Sequence, residues 1–200
     1  MQISVDIMSA ITGMMLSDGP IAQRSITGNA QFVFVQSGKP AKREYFYFVL
    51  RLLMPFCSAN YTPNIKEWYD NKQDKMYNSI SLTTMQLPCF TVLRSLWYKE
   101  TIKIVSLNIK ELQTPITLAH WIMGDGSKQN EGLHLSLYAF SQSNVDILTD
   151  ALKNRYGLHC TIHATERGPR IYKNKNSVNN LRPIILAPIV PSMQYKLSLS

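Results

Sequence analysis

Two aspartates lie about half the chain apart in the same short sequence context, which indicates an internal duplication. Asp18 and Asp125 are each followed by glycine, and each ends a run of uncharged, mostly apolar residues. If the two runs pack together, their carboxylates form an oxygen-rich site that suits Mg²⁺ or Mn²⁺. Without a cation the two acids would repel each other, so one should have a raised pKa. The sequence has no histidine and cysteine cluster at zinc spacing.

The second run has the signals of a buried helix that begins after Thr114. Thr114 suits the N-cap and Pro115 the first turn, and no charge follows before Asp125, so the helix should be buried on all sides. A carboxylate there is costly unless it is paired, protonated or bound to a metal. Gly126 permits the turn into a strand. A single Asp-Gly pair could be an ordinary turn after a core helix, but the second copy, at residues 10–19, favours a shared site.

Small residues on both runs favour direct packing of one helix on the other. Gly13 and Ser17 are four residues apart and share a helical face, as do His120 and Gly124. Small residues on such a face let two backbones approach closely. The packing would bring both acids to the same end of the helix pair.

Composition indicates a globular, soluble chain with an anionic partner. Of its 200 residues, 45% are hydrophobic and 17% charged, and the net charge is +8. Nucleic acid is the commonest partner of a soluble basic protein, and a generic basic surface is the alternative. Three distant cysteines, Cys57, Cys89 and Cys160, are typical of structural thiols in a reducing compartment. We expect no signal peptide and no membrane span, because prolines break the apolar stretch 181–190.

The pattern of apolar residues and turn signals predicts an α+β fold made of two α-β-β-α-β-β-α halves, residues 1–98 and 114–200, joined by a linker at 99–113. In the first half we expect a helix at 4–17, strands at 21–27 and 30–36, a basic loop at 39–43, a helix at 44–55, a hairpin of strands 65–70 and 76–83, and a closing helix at 87–98. In the second half we expect a polar loop at 127–131, a strand at 132–140, a helix with a capping box at Ser143 that ends at Gly157, a hairpin of strands 159–165 and 170–173, a helix at 177–186 and a tail at 191–200.

These residues carry a resemblance to the LAGLIDADG homing endonucleases of the monomeric, two-repeat type. The pattern Leu118-Ala119-x-Trp121-x-Met123-x-Asp125-Gly126 and the tail Pro191-x-Met193-x-Tyr195-Lys196-Leu197 resemble the branch of the yeast mitochondrial omega-intron endonuclease. The resemblance covers nearly the whole chain. It implies a pseudo-twofold duplicated αββαββα enzyme with central packed helices, whose two saddle-shaped antiparallel sheets clasp a long, asymmetric DNA site while both strands are cut.

The resemblance also assigns roles at the site. Asp18 and Asp125 take the positions of the catalytic acids, and they would bind Mg²⁺ or Mn²⁺ together with Gly19 and Gly126. Lys196, in Tyr195-Lys196-Leu197, and Lys103 take the family's lysine positions, although Lys99 and Lys110 are alternatives to Lys103 in the same linker. Divalent cations can activate water and stabilise the charge of phosphodiester hydrolysis. Three departures bear on the geometry: Ser17 replaces the usual glycine or alanine, His120 stands at a glycine position, and Pro20 follows the first Asp-Gly.

Twisted antiparallel strands can enter the major groove of DNA and present alternate side chains to base edges. The residues that we predict to read bases are Gln23, Arg24, Gln31, His134, Ser136, Tyr138, Arg170 and Tyr172. The residues that we predict to contact phosphates are Lys39, Lys42, Arg43, Lys66, Lys72, Lys75, Arg167, Lys173 and Lys175. Taken one at a time, each of these side chains is also compatible with an ordinary position on the solvated surface.

Three functions are compatible with these features. The first is a metal-dependent double-strand DNA endonuclease that promotes intron mobility, acts as a monomer and belongs to the mitochondrion. The second is a maturase in which the same fold binds intron RNA. The third is a non-catalytic protein bound to organellar ribosomal RNA. Retention of both acids and Lys196 favours the first, because a binding module has no need of them.

Overall fold

The computed structural model describes residues 2–158 and 160–199, and the same order of elements occurs in both halves of the chain. The helices are α1 (Val5–Leu16), α2 (Pro40–Leu53), α3 (Pro88–Trp97), α4 (Ile109–Leu112), α5 (Pro115–Asp125), α6 (Gln142–Tyr156) and α7 (Lys175–Ile185). The strands are β1 (Ile21–Ala22), β2 (Gln31–Ser37), β3 (Asn64–Asp70), β4 (Lys75–Thr83), β5 (Tyr98–Lys99), β6 (Ile102–Lys103), β7 (Gly126–Gln129), β8 (Gly132–Ser136), β9 (Thr161–Thr165) and β10 (Gly168–Lys173). Short 3₁₀ helices cover Met54–Phe56 and Pro191–Leu197.

Two antiparallel four-stranded sheets have equivalent strand orders, β1-β2-β4-β3 and β7-β8-β10-β9. The predicted α+β fold with duplicated sheets is therefore confirmed. One face of each sheet packs on helices, and the apolar residues of the strands, such as Phe32, Phe34, Leu133 and Leu135, lie on that face. The division at residues 98 and 114 stays a prediction. None of the helices within the described residues is long and apolar enough to cross a membrane.

The central helices α1 and α5 begin at the predicted caps. Ser4 Oγ accepts a hydrogen bond from Ile7 N–H (3.4 Å), and Thr114 Oγ1 accepts one from Thr117 N–H (3.1 Å). These bonds satisfy backbone donors that a helix leaves free at its first turn. Both helices are buried over most of their length, from Ser9 on α1 and from Thr117 on α5. They form the middle of the core.

Three predictions in the first half need correction. The strand expected at 21–27 has only two residues, because the loop after it closes on itself: Gln23 Nε2 donates to Gly28 O (2.8 Å). The basic loop expected at 39–43 is the first turn of α2, where Pro40 has a favourable position. The third correction is where the first half meets the linker: the helix predicted to end at 98 ends at Trp97, and Tyr98 begins the β5–β6 hairpin, which continues into the linker before α4.

Corrections in the second half concern polar residues. The polar loop expected at 127–131 is mostly strand β7, an edge strand that pairs with β8, and β8 itself ends at Ser136 rather than at 140. Ser141, not Ser143, caps α6, with its Oγ 3.4 Å from Asn144 N. Gly157 ends that helix with φ +64°, as predicted. The predicted hairpin at 159–173 is present as β9 and β10, but His159, and Ser200 of the tail, lie outside the described residues.

Candidate active site and nucleic-acid interface

Helices α1 and α5 pack with their backbones in direct contact at the predicted small residues. A Cβ atom on Gly13 would lie 2.3 Å from the Thr117 carbonyl oxygen, and one on Gly124 would lie 2.4 Å from Ser17 Oγ. Thr117 Oγ1 donates to the Ser9 carbonyl of the other helix (3.0 Å). The prediction that small residues mediate this contact is confirmed, and the two helices end side by side.

The two acids meet at this end of the helix pair. Asp18 lies in the turn after α1, Asp125 is the last residue of α5, and both line a cavity of about 90 Å³ with the chain that follows β8. Burial, and next the charge of Asp18, raise the pKa of Asp125 to about 7, against the opposing effect of nearby lysines. The acids are thus close enough to repel each other when no cation separates them.

Two lysines donate to backbone carbonyl groups at the ends of the two central helices. Lys103 Nζ donates to Ser17 O (2.9 Å) and Gly19 O (3.3 Å) beside Asp18. Lys196 Nζ donates to the carbonyls of residues 122, 123 and 124 at 3.0, 2.7 and 3.2 Å, beside Asp125. A cation at a helix C-terminus is stabilised by the helix dipole. Each acid therefore has a lysine at its own helix end, which distinguishes Lys103 from the alternatives in the linker.

Burial of the two lysines depresses their affinity for a proton. The pKa of Lys103 falls to about 8, because burial outweighs the attraction of Asp18 and Asp125. The pKa of Lys196 falls to about 6, through burial and then through repulsion by Lys42 of α2. An amine with such a pKa can hold or release a proton near neutral pH. Lys42, predicted only as a phosphate contact, thus also belongs to the electrostatics of the site.

The three departures from the family pattern, Ser17, Pro20 and His120, are all accommodated by the packing around the central helices. Ser17 Oγ donates to Met14 O (3.0 Å) and has room because residue 124 is glycine. Pro20 precedes β1, and its carbonyl accepts a hydrogen bond from Val33 N–H (3.0 Å), so it joins the first sheet. Neither change disturbs the contact between the central helices.

His120 packs against α2. Its Nδ1 lies 3.0 Å from Tyr45 Oη, and its ring stacks on Phe48 with centroids 5.7 Å apart. Burial lowers the pKa of His120 to about 3, so the imidazole is neutral and has a packing role.

The carboxylate oxygens of Asp18 and Asp125 are suitable ligands for a hard divalent cation. Within the described residues there is no group of three or more His, Cys, Asp or Glu side chains that could hold a metal. Mg²⁺ is commonly bound by one or two carboxylates, completed by water and substrate phosphate, which is what Asp18 and Asp125 could provide. The Gly19 carbonyl already accepts a bond from Lys103, and Gly126 lies in β7, so their part as ligands stays a prediction.

A groove of about 540 Å³ leads from Asp18 along the outer face of the first sheet. Its lining includes two of the predicted phosphate contacts, Lys39 and Lys42, and apolar, polar and aromatic strand residues such as Val35, Ser37, Trp68, Tyr77 and Ser79. Arg24 and Arg43 are exposed elsewhere on this half. Gln31 is only 9% exposed and the Gln23 amide bonds to its own loop, so both offer less to a ligand than predicted.

The face of the second sheet that is turned away from the helices carries most of the predicted base readers. Register pairs Arg170 with Ser136 and Tyr172 with His134, so these four side chains share one face. Arg170 Nε donates to the Tyr138 hydroxyl, and Arg167 is exposed in the turn between β9 and β10. The structure thus groups these candidates on one face of the sheet, where His134 is 9% exposed and so offers as little to a ligand as Gln31.

Lys173 does not belong to this surface, which corrects its prediction as a phosphate contact. It follows Tyr172 in β10, so its side chain leaves from the opposite face, beside Leu133, and is 1% exposed. Its ammonium donates to Cys160 Sγ in the interior.

Two clusters on the outer sheet faces were missed from the sequence. Trp68 and Tyr77 are cross-strand partners in the β3–β4 hairpin and stack with centroids 5.8 Å apart. His163 stacks on Tyr172 (5.1 Å), and its Nδ1 lies 3.3 Å from His134 Nε2. Alternation along β4 places Tyr77 on the same face as Ser79, and alternation along β10 places Tyr172 with Arg170, but Trp68 and His163 follow only from the pairing of the neighbouring strands.

Asp125 predicts a pH effect on the metal-free protein. Its folded-state pKa of about 7 lies above the ordinary value of 3.8, so folding takes up a proton between these pH values. The stability of the wild type relative to Asp125→Asn should therefore be highest at low pH and fall as pH rises from about 4 to about 7. Urea unfolding of both proteins in EDTA measures the difference between their free energies of unfolding. A difference that does not change with pH would contradict the burial of Asp125.

The sequence matches the LAGLIDADG DNA endonuclease family over residues 8–181. It is 32% identical to the cytochrome b mRNA maturase bI2 of Saccharomyces cerevisiae over 98% of this chain and 48% of that protein, so the chain spans about half the length of this relative. It is 31% identical to the intron-encoded endonuclease ai4 of Dictyostelium discoideum over 72% of this chain and 93% of that protein.

Solved structures share the fold. The homing endonuclease I-WcaI bound to its DNA recognition sequence matches with a TM-score of 0.88 at 21% identity, over 98% of this chain and 88% of that one. The endonuclease I-DmoI, solved with DNA and Mn, matches with a TM-score of 0.57 at 14% identity, over 91% of this chain and 98% of that one.

Proposed function

We propose that this chain, which belongs to the LAGLIDADG DNA endonuclease family, is a site-specific endonuclease that cuts both strands of a long double-stranded DNA target with divalent cations and so promotes intron mobility. The observation that carries this proposal is the pair of acids at the joined ends of α1 and α5, each with a lysine on its own helix end. A protein that only binds nucleic acid gains nothing from two carboxylates that repel each other and would repel phosphate.

The proposed chemistry places each side chain in a role that its surroundings support. Bound Mg²⁺ or Mn²⁺ would supply charge neutralisation at the phosphate and a more acidic water. Asp18 and Asp125 would hold the cations. Lys103 and Lys196 would stabilise the negative charge that develops on the phosphate, and the Nζ of each can hold or release a proton at neutral pH because burial lowers its pKa.

The proposed DNA contacts lie on the two outer sheet faces on either side of the acids. The groove from Asp18 to Trp68 and the cluster around Arg170 support this proposal, because both carry polar and aromatic side chains of the kind that a β-ribbon presents to base edges in the major groove. Lys39 and Arg43, in the first turn of α2, would contact phosphates. Because one chain contains both sheets, it would act as a monomer.

A maturase function is the second candidate, and the names of the relatives favour it. The yeast relative is a maturase of cytochrome b mRNA, which also supports a mitochondrial origin for this chain. In that case the fold would bind intron RNA, and the acids would be retained or incidental. A non-catalytic derivative bound to ribosomal RNA would need neither the acids nor the lysines.

Cleavage of the joined-exon sequence separates these functions. This sequence is obtained by removing the intron or reading frame that encloses the gene and joining the sequences on either side. A duplex that carries it should be cut in both strands in Mg²⁺ but left intact in EDTA. A duplex of the same composition in scrambled order is the control, and binding to the intron RNA is measured in parallel. Specific RNA binding together with an intact duplex would replace the endonuclease proposal with the maturase.

A further inference from the structure

A lysine that neither catalysis nor DNA contact accounts for lies in the interior of the second half. Lys173 is 1% exposed, although lysine is almost never fully buried unless it is paired. Among the described residues, its ammonium has one hydrogen-bond partner, the Sγ atom of Cys160. This contact lies on the helix side of the second sheet, whereas the predicted base readers lie on the other side.

Strand register independently brings these two residues together. The β9–β10 ladder pairs Tyr172 with Thr161 and Ile171 with Ile162. One more step toward the open end of the hairpin sets Lys173 opposite Cys160. Directly opposed residues have Cβ atoms about 5 Å apart, which is within reach of a lysine amine and a thiol. The backbone therefore supports the contact as well as the side-chain placement does.

The surroundings favour chemistry between the two groups. Burial lowers the pKa of Lys173, which increases the share of neutral amine with a free electron pair on Nζ. Cys160 is half-buried, so a small oxidant can approach this residue from solvent, and its Sγ donates to Leu158 O (3.6 Å). Oxidised cysteine condenses with a nearby nitrogen in other proteins.

We propose that Cys160 and Lys173 form a reversible covalent sulfur–nitrogen link when the protein meets hydrogen peroxide. Peroxide first transfers one oxygen to Sγ, which gives a sulfenic acid and releases water. The Nζ electron pair then attacks Sγ, the S–O bond breaks, and hydroxide leaves as water with one amine proton. The protein loses two hydrogen atoms in total. Two external thiols reverse the link: the first displaces the amine, the second frees Cys160, and the two become a disulfide.

The link would close the open end of the β9–β10 hairpin. The two linked residues flank the hairpin strands, whose outer face carries Arg170 and Tyr172. A cross-link across a loop removes conformational freedom from the unfolded chain, so we expect the linked protein to melt at a higher temperature. This expectation does not depend on endonuclease activity, since neither residue contacts the acids.

Peptide mass mapping tests the proposal. The folded protein is treated with hydrogen peroxide, digested and analysed with and without a thiol. We expect a joined pair of peptides, one with Cys160 and one with Lys173, two hydrogens lighter than their sum and lost after thiol treatment. Cys89, half-buried in α3, is the internal control and should gain only oxygen.

Two variants and one denatured sample complete the test. Cys160→Ser and Lys173→Met should each abolish the link, and peroxide should raise the melting temperature of the wild type but not of Cys160→Ser. Because Lys173 is a core residue, Cys160→Ser keeps the test decisive if Lys173→Met does not fold. The link should also be absent when peroxide is added in denaturant. Oxygen adducts alone on Cys160, a link that retains an oxygen, or links to several lysines would overturn the proposal.

Discussion

Replacement of Asp125 by asparagine is expected to abolish cleavage of both DNA strands while binding in calcium stays largely intact. The amide keeps the size of the side chain but removes the charge that would hold a cation beside Asp18. Loss of such electrostatic stabilisation typically lowers the rate by about 10²–10³-fold, and loss of the cation itself should cost more. Because the two acids line one cavity, Asp18→Asn should have the same effect.

Cleavage in Mg²⁺ and gel-shift binding in Ca²⁺, run on the same duplex, measure the two effects separately. Asp146→Asn is a matched control, since this acid lies on the exposed surface of α6 and accepts a bond from Gln142. The control should cut at the wild-type rate. Undiminished cleavage by Asp18→Asn or Asp125→Asn would show that the metal site lies elsewhere.

Alanine at position 13 should strongly destabilise the protein. The new Cβ atom would lie 2.3 Å from the carbonyl oxygen of Thr117, which is backbone of the opposite helix and cannot rotate away. Forcing the helices apart typically costs about 1–3 kcal/mol or more, which lowers the melting temperature of a chain of this size by several degrees. Since both acids lie at the end of this helix pair, the rate of cleavage should fall as well.

Two further variants distinguish contact from loss of glycine itself. Gly157→Ala adds a Cβ atom where nothing lies within 4 Å, so it should cost only the strain of a positive φ, about 1 kcal/mol. Gly124→Ala meets the Ser17 side chain at 2.4 Å, and Ser17→Gly should restore part of the lost stability. A Gly13→Ala protein as stable as the wild type would refute direct packing of α1 on α5.

The central helices could be predicted from sequence because their signals are local. Caps at Ser4 and Thr114, the uncharged runs and the Asp-Gly pairs are all visible in residues that are neighbours along the chain, and the duplication shows each of these signals twice. The packing of the two helices through small residues was predicted from residue size and helical period, and the structure adds that Ser17 faces Gly124. Neither step needed knowledge of distant partners.

Predictions were wrong or left open where contacts between residues far apart in the sequence determine the structure. The residues of β7 are polar, and only pairing with β8 makes them a strand. The position of Lys103 depends on the β5–β6 hairpin, which has two residues in each strand and little sequence signal. Lys173 was assigned to the surface by its charge, although alternation along β10 places it inside once Arg170 is placed outside.

The fit between the central helices also bears on how the two halves have diverged. Positions 13 and 120 are equivalent in the duplication, as are 17 and 124, yet at each pair one residue is glycine and the other is not. The larger residue of one copy occupies the space that glycine leaves in the other. Two identical first halves would oppose serine to serine, and two identical second halves histidine to histidine. Changes that made the two copies alike would therefore place two larger side chains opposite each other where the helix contact now has one glycine at each position.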